Sequence, residues 1–404
     1  MGKLLVAGGG IGGLVAALAC ARVGAQVELF ERAAEFAEVG AGIQLGPNAM
    51  RVLYGLGLKD ALQPNLAFPE RLVVRSAPTG SVLGHLPLGE VAQQCYGAPY
   101  ATIHRADLHA LLVQTARQRS DVQLNLNSAV LGVVQTEAAV SVQLADEGQV
   151  CGDVLVAADG GFSKLRQQLL ADGVPQPTGH LAYRAMVQQS DLPAILRSQQ
   201  VTVWLGPRLH LVQYPVRAGT WLNVVGIVHG QSQGDVSNWD HSANGQDLQR
   251  AFAATCEPLI GLIRAIGHWR LWPLSIRPPM SGAHQHAKGR VALLGDAAHP
   301  MLPYLAQGAA MAIEDGATLA QVLAAGGIFG PGSGQQRPPD AVPALLQDYA
   351  RQRWQRNARV QARAIRNGEI FHATGLLRFG RDMAMRLAGE RLLDQPWLYG
   401  SSPA

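Results

Sequence analysis

Two glycine-acid signatures, far apart in this 404-residue chain, carry its first chemistry. Gly8-Gly9-Gly10-Ile11-Gly12-Gly13 follows the apolar run from Leu4 to Ala7 and leads into Leu14 to Val23. Gly8, Gly10 and Gly13 match G-x-G-x-x-G, a spacing that gives a tight turn, lets backbone approach a pyrophosphate and packs helix on strand. The helix that starts there offers unpaired N–H groups and a partial charge of about +0.5 to phosphates. Glu31, with Arg32 beside it, closes the next strand, where an acid can accept hydrogen bonds from a ribose. The second signature, Gly295-Asp296-Ala297-Ala298-His299-Pro300, follows the apolar run from Val291 to Leu294. Asp296 can accept from the hydroxyls of a polyol chain. Downstream, Pro303 to Met311 runs into an apolar helix whose positive end would stabilise an anionic reduced flavin ring. One signature implies a dinucleotide; both together imply a cofactor long enough to need them, FAD.

Between them lies Ala158-Asp159-Gly160-Gly161-Phe162-Ser163-Lys164-Leu165-Arg166, again after an apolar run and before a helical one. With the three motifs in this order, residues 1 to 372 resemble the single-component flavoprotein aromatic hydroxylases. That group contains p-hydroxybenzoate, salicylate and 3-hydroxybenzoate hydroxylases and 6-hydroxynicotinate 3-monooxygenase. The resemblance implies an FAD-dependent monooxygenase that uses NADH or NADPH and O2 to hydroxylate a small phenolic or hydroxylated heteroaromatic acid. It also implies that Gly8, Gly10, Gly13 and Glu31 hold the ADP half of FAD, with Arg32 in the same site, and that Arg105 contacts the cofactor. Asp159 would serve the motif shared between FAD and NAD(P)H, Asp296 the ribityl chain, and Gly308 and Ala309 the flavin's pyrimidine edge. The nicotinamide has no second Rossmann unit, and the resembled family manages without one.

Substrate chemistry falls on Leu209-His210-Leu211-Val212-Gln213-Tyr214-Pro215-Val216. Alternate strand residues share a face, so His210, Val212 and Tyr214 point together. Electrophilic oxygen transfer to a phenol is easier once the phenol loses its proton, which histidine can accept near neutral pH. The same His and Tyr spacing resembles the substrate-side pair of 3-hydroxybenzoate 6-hydroxylases and 6-hydroxynicotinate monooxygenases, implying catalytic roles for His210 and Tyr214. Gln44 and Pro303 are expected along the flavin's approach, with Val212 in the pocket and Arg184 against a substrate carboxylate or in a salt bridge. No metal is expected: His284 and His286 lie two apart in what reads as a polar loop, without an evident third ligand. His299 reads as a packing or cofactor-shell residue. Ser275-Ile276-Arg277-Pro278-Pro279 lacks the acid that related proteins commonly carry before the arginine.

These residues need a scaffold that gathers distant segments. The chain opens as strand (Lys3 to Ala7), helix (Gly12 to Val23) and strand (Gln26 to Phe30), the start of a parallel sheet. A glycine-rich loop follows from Val39 to Asn48, then helices from about Ala49 and Arg105. Strands near Val122 to Leu126, Ala129 to Thr136 and Val140 to Leu144 read as a β-meander before the strand at Asp153 to Ala157. From His180 to Leu274 the texture is β-rich, with helical stretches from about Asp247 and Pro258. The expected class is α/β (α+β): a Rossmann-like FAD-binding domain of the p-hydroxybenzoate hydroxylase type over 1–70, 101–178 and 281–342. A β-sheet substrate domain over 71–100 and 179–280 interrupts it, and C-terminal helices fill 343–404. Gly326 to Pro343 reads as a surface loop.

Composition, at 48% apolar, 15% charged and net +4, fits a globular enzyme and not a disordered chain. The run Arg351, Arg353, Arg356, Arg359, Arg363 and Arg366 lacks interleaved aromatics, so it reads as a solvated or interdomain helix face and not a nucleic-acid patch. Glycines interrupt the apolar N-terminus, and no run reaches the ~20 apolar residues of a membrane span. Cys20, Cys95, Cys151 and Cys256 are scattered, as in a reducing cytosol. The expectation is a cytoplasmic enzyme, by resemblance a homodimer, whose partners are a small aromatic substrate, O2 and NAD(P)H, with no nucleic acid and no membrane. The alternatives are a flavin halogenase or reductase on a related scaffold, disfavoured because Trp269-Arg270-Leu271-Trp272-Pro273 does not match the halogenase segment W-x-W-x-I-P and lysines are scarce, and a flavin-binding sensor, disfavoured because no effector segment is visible.

Overall fold

Leu4, Leu5, Val6 and Ala7 are all fully buried, which is why the first strand is apolar at every position after Lys3 instead of alternating. Leu4 and Val6 pack among helices, whereas Leu5 and Ala7 meet Val133, Val140 and Val142 on the other face. This is the centre of a computed structural model that describes residues 2–36, 41–230, 241–243, 245–329, 338 and 340–400. The six-stranded sheet runs Ala287–Lys288, Val291–Leu293, Val154–Ala157, Lys3–Ala7, Gln26–Phe30, Val122–Asn125, parallel except at its first pair. Val122–Asn125 therefore belongs to this sheet, pairing Val122 with Val27, and not to the meander expected from sequence. The meander is instead Val130–Gln135, Val140–Leu144 and Gln149–Gly152. The helix Arg105–Arg117 returns the chain to the parallel edge before the meander begins.

An eight-stranded sheet forms the second layer, in the order His241–Ala243, Trp269–Ile276, Gln176–Gln188, Trp221–His229, Leu209–Val216, Val201–Gly206, Arg71–Ser76, Val82–Pro87. Tyr183, Leu211 and Val224 on one face are closed by Leu248, Phe252, Leu259 and Ile263 from the helical stretch after residue 245. The opposite face carries His210, Val212 and Tyr214. The loop expected from Val39 to Asn48 contains a strand, Gly42–Leu45, paired with Ala101–His104; residues 39 and 40 lie outside the described residues. Half of the loop expected over Gly326 to Pro343, residues 330–337 and 339, also lies outside them.

A buried ion network fastens the layers. The helix Gly308–Ala325 lies so close to Ile11–Arg22 that a Cβ on Gly316 would stand 2.9 Å from the backbone nitrogen of Ala16. Its Glu314 and Asp315 face the long helix Ala341–Phe371, where Arg353 meets Glu314 Oε2 and Asp315 Oδ1, each at 2.7 Å. Arg356 adds a 2.7 Å bond to Glu314, and His299 Nε2 lies 2.5 Å from Asp315 Oδ2. Gly295 N–H donates to the same Asp315 oxygen at 3.2 Å, and Asn48 Nδ2 donates to Glu314 at 2.7 Å. Burial alone would raise both carboxyl pKa values; Arg353 and Arg356 outweigh it at Glu314, and His299 and Arg353 at Asp315, so both carboxyls titrate below their ordinary range. The arginine run is thus split: Arg351 and Arg366 are exposed, but Arg353 is 3% exposed and Arg359 stacks on Trp397 at 3.9 Å.

Removing one partner of such a network strands the others without water. Arg353→Met should cost about 3–5 kcal/mol in denaturant unfolding; a loss near zero would contradict the assigned role. Because the folded carboxyl pKa values lie below the unfolded ones, the network's contribution is full above about pH 4 and fades as pH falls below it. Melting temperatures should therefore drop less steeply with acid in the variant than in the wild type.

Candidate active site

The three glycine-containing turns follow three neighbouring strands. Leu4 pairs with Val154 and Leu155 with Val291, all parallel, so the carboxyl ends of all three strands open on one edge. Ligands of open α/β sheets bind in the crevice at this edge. A Cβ on Gly13 would collide with the Gly8 carbonyl, so that glycine is needed for packing, whereas one on Gly10 meets nothing within 4 Å. Gly10 also caps the helix Ile11–Arg22 without a side-chain bond, and no acid stands in the first turn, leaving its N–H groups for an anion. Glu31 braces the loop, accepting from Gly9 N–H at 2.8 Å and Ala33 N–H at 2.9 Å, with Arg32 exposed beside it. His109 Nε2 lies 2.7 Å from the Gly9 carbonyl, a support the sequence did not single out.

Asp296 is the exposed residue in an otherwise buried segment from Val291 to Pro300, with no hydrogen bond or ion pair among the described residues. Gly308 and Ala309 open an 18-residue helix that also lacks a side-chain cap and first-turn acids. Two uncapped helix ends, a free carboxylate and open space at Gly10 fit the pyrophosphate, ribityl chain and ring edge of FAD. The Asp159 carboxylate accepts from Ser163 Oγ at 2.5 Å and Leu165 N–H at 3.3 Å, bracing its own turn as Glu31 braces its loop. Burial raises the Asp159 pKa against those bonds. Arg105 is half-buried, and its N–H donates to the Ala41 carbonyl at 2.7 Å.

Beside this edge lies a cavity of about 540 Å³ whose lining includes Gln44, His210, Val212, Pro303, Tyr304 and Arg363. Register places His210 beside Ile227, Val212 beside Val225 and Tyr214 beside Asn223 on one face, as the strand period requires. Gly42 N–H donates to Asn223 Oδ1 at 2.7 Å, which holds the strand Gly42–Leu45, and with it Gln44, over this face. His210 is 2% exposed, and its Nδ1 shares a 2.7 Å hydrogen bond with His372 Nε2. Burial first, then His372 and His180, hold its pKa well below the ordinary value. Tyr214 is not in the lining; it is buried behind Gln44, which bonds to it and accepts from Tyr100, and burial raises its pKa.

Arg184 is also outside the lining and makes no salt bridge among the described residues; its guanidinium stacks 3.7 Å from the Trp272 ring centroid. Burial, opposed by Tyr214 and reinforced by Arg105, lowers its pKa to about 9. Arg363 faces the cavity instead, with a buried Nε that has no partner in the structure. Its signal was available: Arg353, Val360, Ala364 and Asn367 recur at helical spacing as the buried face of Ala341–Phe371. Arg277, lacking a preceding acid, finds one in Asp172 at 3.0 Å, shared with Arg166. His284 and His286 do not form one polar loop. His284 is exposed, while His286 is fully buried, bonded to Leu293 and Asn357, with burial pushing its pKa down to about 3. His299 is a packing residue on Asp315.

Gly10→Val should fold with an ordinary circular dichroism spectrum yet lose FAD, whereas Gly13→Val should yield no folded protein. Asp296→Ala should also lose flavin; full occupancy by absorbance would contradict its assignment.

The profile of the FAD binding domain family matches residues 2–364. The 3-hydroxybenzoate 6-hydroxylase of Polaromonas naphthalenivorans is 37% identical over 400 residues, covering 98% of this chain and 95% of that protein. Klebsiella pneumoniae HpxO complexed with FAD and uric acid superposes with a TM-score of 0.82 at 26% identity, over 98% of this chain and 95% of that one. A salicylate hydroxylase substrate complex gives 0.81 at 26% identity, over 100% and 96%. Among the described residues no helix is long and apolar enough to cross a membrane. The chain belongs to the FAD-binding domain family and is an FAD-dependent monooxygenase of the aromatic hydroxylase group.

Proposed function

We propose that the enzyme hydroxylates a monohydroxybenzoate, with 3-hydroxybenzoate the first candidate, at a ring carbon ortho or para to the hydroxyl. One observation carries this reading: a single cavity holds both a buried histidine and an arginine whose Nε has no partner among the described residues. His210 serves the phenol and Arg363 the carboxylate. The relatives named as 3-hydroxybenzoate 6-hydroxylase and salicylate hydroxylase support the substrate class.

When bound, FAD would supply the redox chemistry, hydride acceptance from NADH or NADPH and O2 activation. Gly10, Glu31, Asp296, Gly308 and Ala309 would hold it. The protein's own contribution to the ring chemistry is at His210. In the tautomer that donates Nδ1–H to His372, His210 keeps an Nε2 lone pair for the substrate hydroxyl, and a phenol drawn toward that nitrogen gains electron density at its ortho and para carbons. Leu72, Val203, Val212 and Phe371 supply apolar walls that exclude water. Gln44, fixed by Tyr100 and Tyr214, offers a rigid polar edge, which makes Tyr214 a positioning residue.

His210→Ala should retain FAD and lower kcat by about 10²–10⁴-fold, with partial recovery as pH approaches the phenol's own pKa. Unchanged product formation across pH would remove His210 from the reaction. Arg363→Gln should raise KM for 3-hydroxybenzoate about 10–100-fold, the size of a lost charge-assisted bond, but leave 3-hydroxybenzamide almost untouched. Equal effects on both would contradict carboxylate recognition.

A further inference from the structure

The sheet face that carries His210 ends in a second group of imidazoles. His180 and His229 are register partners on neighbouring antiparallel strands, two residues beyond Ala182 and Ile227, and so lie on the face of His210. The helix Ala341–Phe371 ends over them with His372 as its C-cap. Ring centroids stand 4.4 Å apart for His180 and His229, 5.0 Å for His180 and His372, and 4.9 Å for His229 and His372. One ring nitrogen from each lies within 4.8 Å of the other two. We propose that His180, His229 and His372 form a binding site for a divalent transition metal ion of the zinc class, open to solvent at His229 and coupled through His372 to His210.

The ligand chemistry is that of three imidazoles with a fourth position left to water. Metal-bound histidines characteristically donate their other N–H to a fixed partner, and two of these three are already placed to do so. His180 Nδ1 lies 2.5 Å from the Tyr304 hydroxyl, and His372 Nε2 lies 2.7 Å from His210 Nδ1. That leaves His180 Nε2, His372 Nδ1 and His229 Nε2 as ligands. The last two now share a 2.9 Å hydrogen bond, which the ion would replace. Tetrahedral zinc needs nitrogens about 3.3 Å apart, so the rings must shift by roughly 1 Å. Protons compete little, because burial first and neighbouring cationic or imidazole groups second lower all three pKa values, that of His372 to about 3. Arg208 and Arg381 lie near enough to oppose a dication, which limits the affinity.

The second buried group, His286, His299 and Asp315, offers no such site, because Arg353, Asn357 and Gly295 already hold its carboxylate.

Coupling follows from proton bookkeeping. A metal on His372 Nδ1 forces the His372 proton onto Nε2, from which it donates to His210 Nδ1. His210 must then carry its own proton on Nε2, the nitrogen assigned above to the substrate hydroxyl. Bound metal therefore removes the proton acceptor without touching the cavity. This last step rests on the proposed role of His210; the metal site does not.

Zinc binding to tag-free holoenzyme, followed by isothermal titration, should saturate at one ion per chain. The double variant His180→Ala/His229→Ala should weaken it more than about tenfold, while keeping its FAD content. His210→Ala should still bind zinc. Absence of saturable binding, or equal binding by the double variant, would overturn the site. In the wild type, zinc should lower substrate-stimulated turnover with the same saturation curve, and the double variant should resist. Zinc that saturates without inhibiting would overturn the coupling alone, and normal turnover by His210→Ala would instead discredit the reading of His210.

Discussion

Arg353 is the constraint on which the rest of the molecule depends. Its guanidinium, 3% exposed, joins Glu314 and Asp315, and through Asp315 it reaches His299 and the Gly295 turn. One buried cation therefore fixes the helix Ala341–Phe371 relative to the edge where the glycine turns converge. Farther along the same helix stand Arg363, Asn367 and Phe371 in the cavity wall, and then His372. A shift of that helix would move the cavity wall and the partner of His210 together. Burying this much charge is costly unless every oxygen is paired, and here Asn48, Arg356, Asn357 and Gly295 complete the pairing.

The eight-stranded sheet adds a division of labour that follows from its period of two. Tyr183, Leu211 and Val224 face a helical layer and build core, whereas His210, Val212 and Tyr214 face the cofactor side. The polar residues on that side are not left loose. Asn223 accepts from Gly42 and Gln44 accepts from Tyr100, so the short pair of strands over the sheet is held by defined bonds. Such bonds position a substrate's polar groups more accurately than apolar contact alone.

The packing role of Gly13 was legible because its chemistry is local: it must be glycine for backbone to approach backbone, wherever the fold places it. The face shared by His210 and Tyr214 was legible for the same reason, as strand periodicity needs no tertiary knowledge. Arg363 and Arg353 were harder, because an arginine looks solvated until the acid or cavity it meets is known, and Glu314 and Asp315 lie on another helix. The His180, His229 and His372 cluster left no trace in sequence spacing. It arises where two strand registers and one helix end coincide.

Incorporation of labelled oxygen tests most directly whether this enzyme oxygenates a hydroxybenzoate. Holoenzyme, NADH or NADPH and 3-hydroxybenzoate under ¹⁸O2 should give a dihydroxybenzoate carrying one ¹⁸O atom, with reduced nicotinamide consumed in equal amount. Nicotinamide consumption with all the labelled oxygen recovered as hydrogen peroxide, for 3-hydroxybenzoate and its positional isomers alike, would contradict that reading.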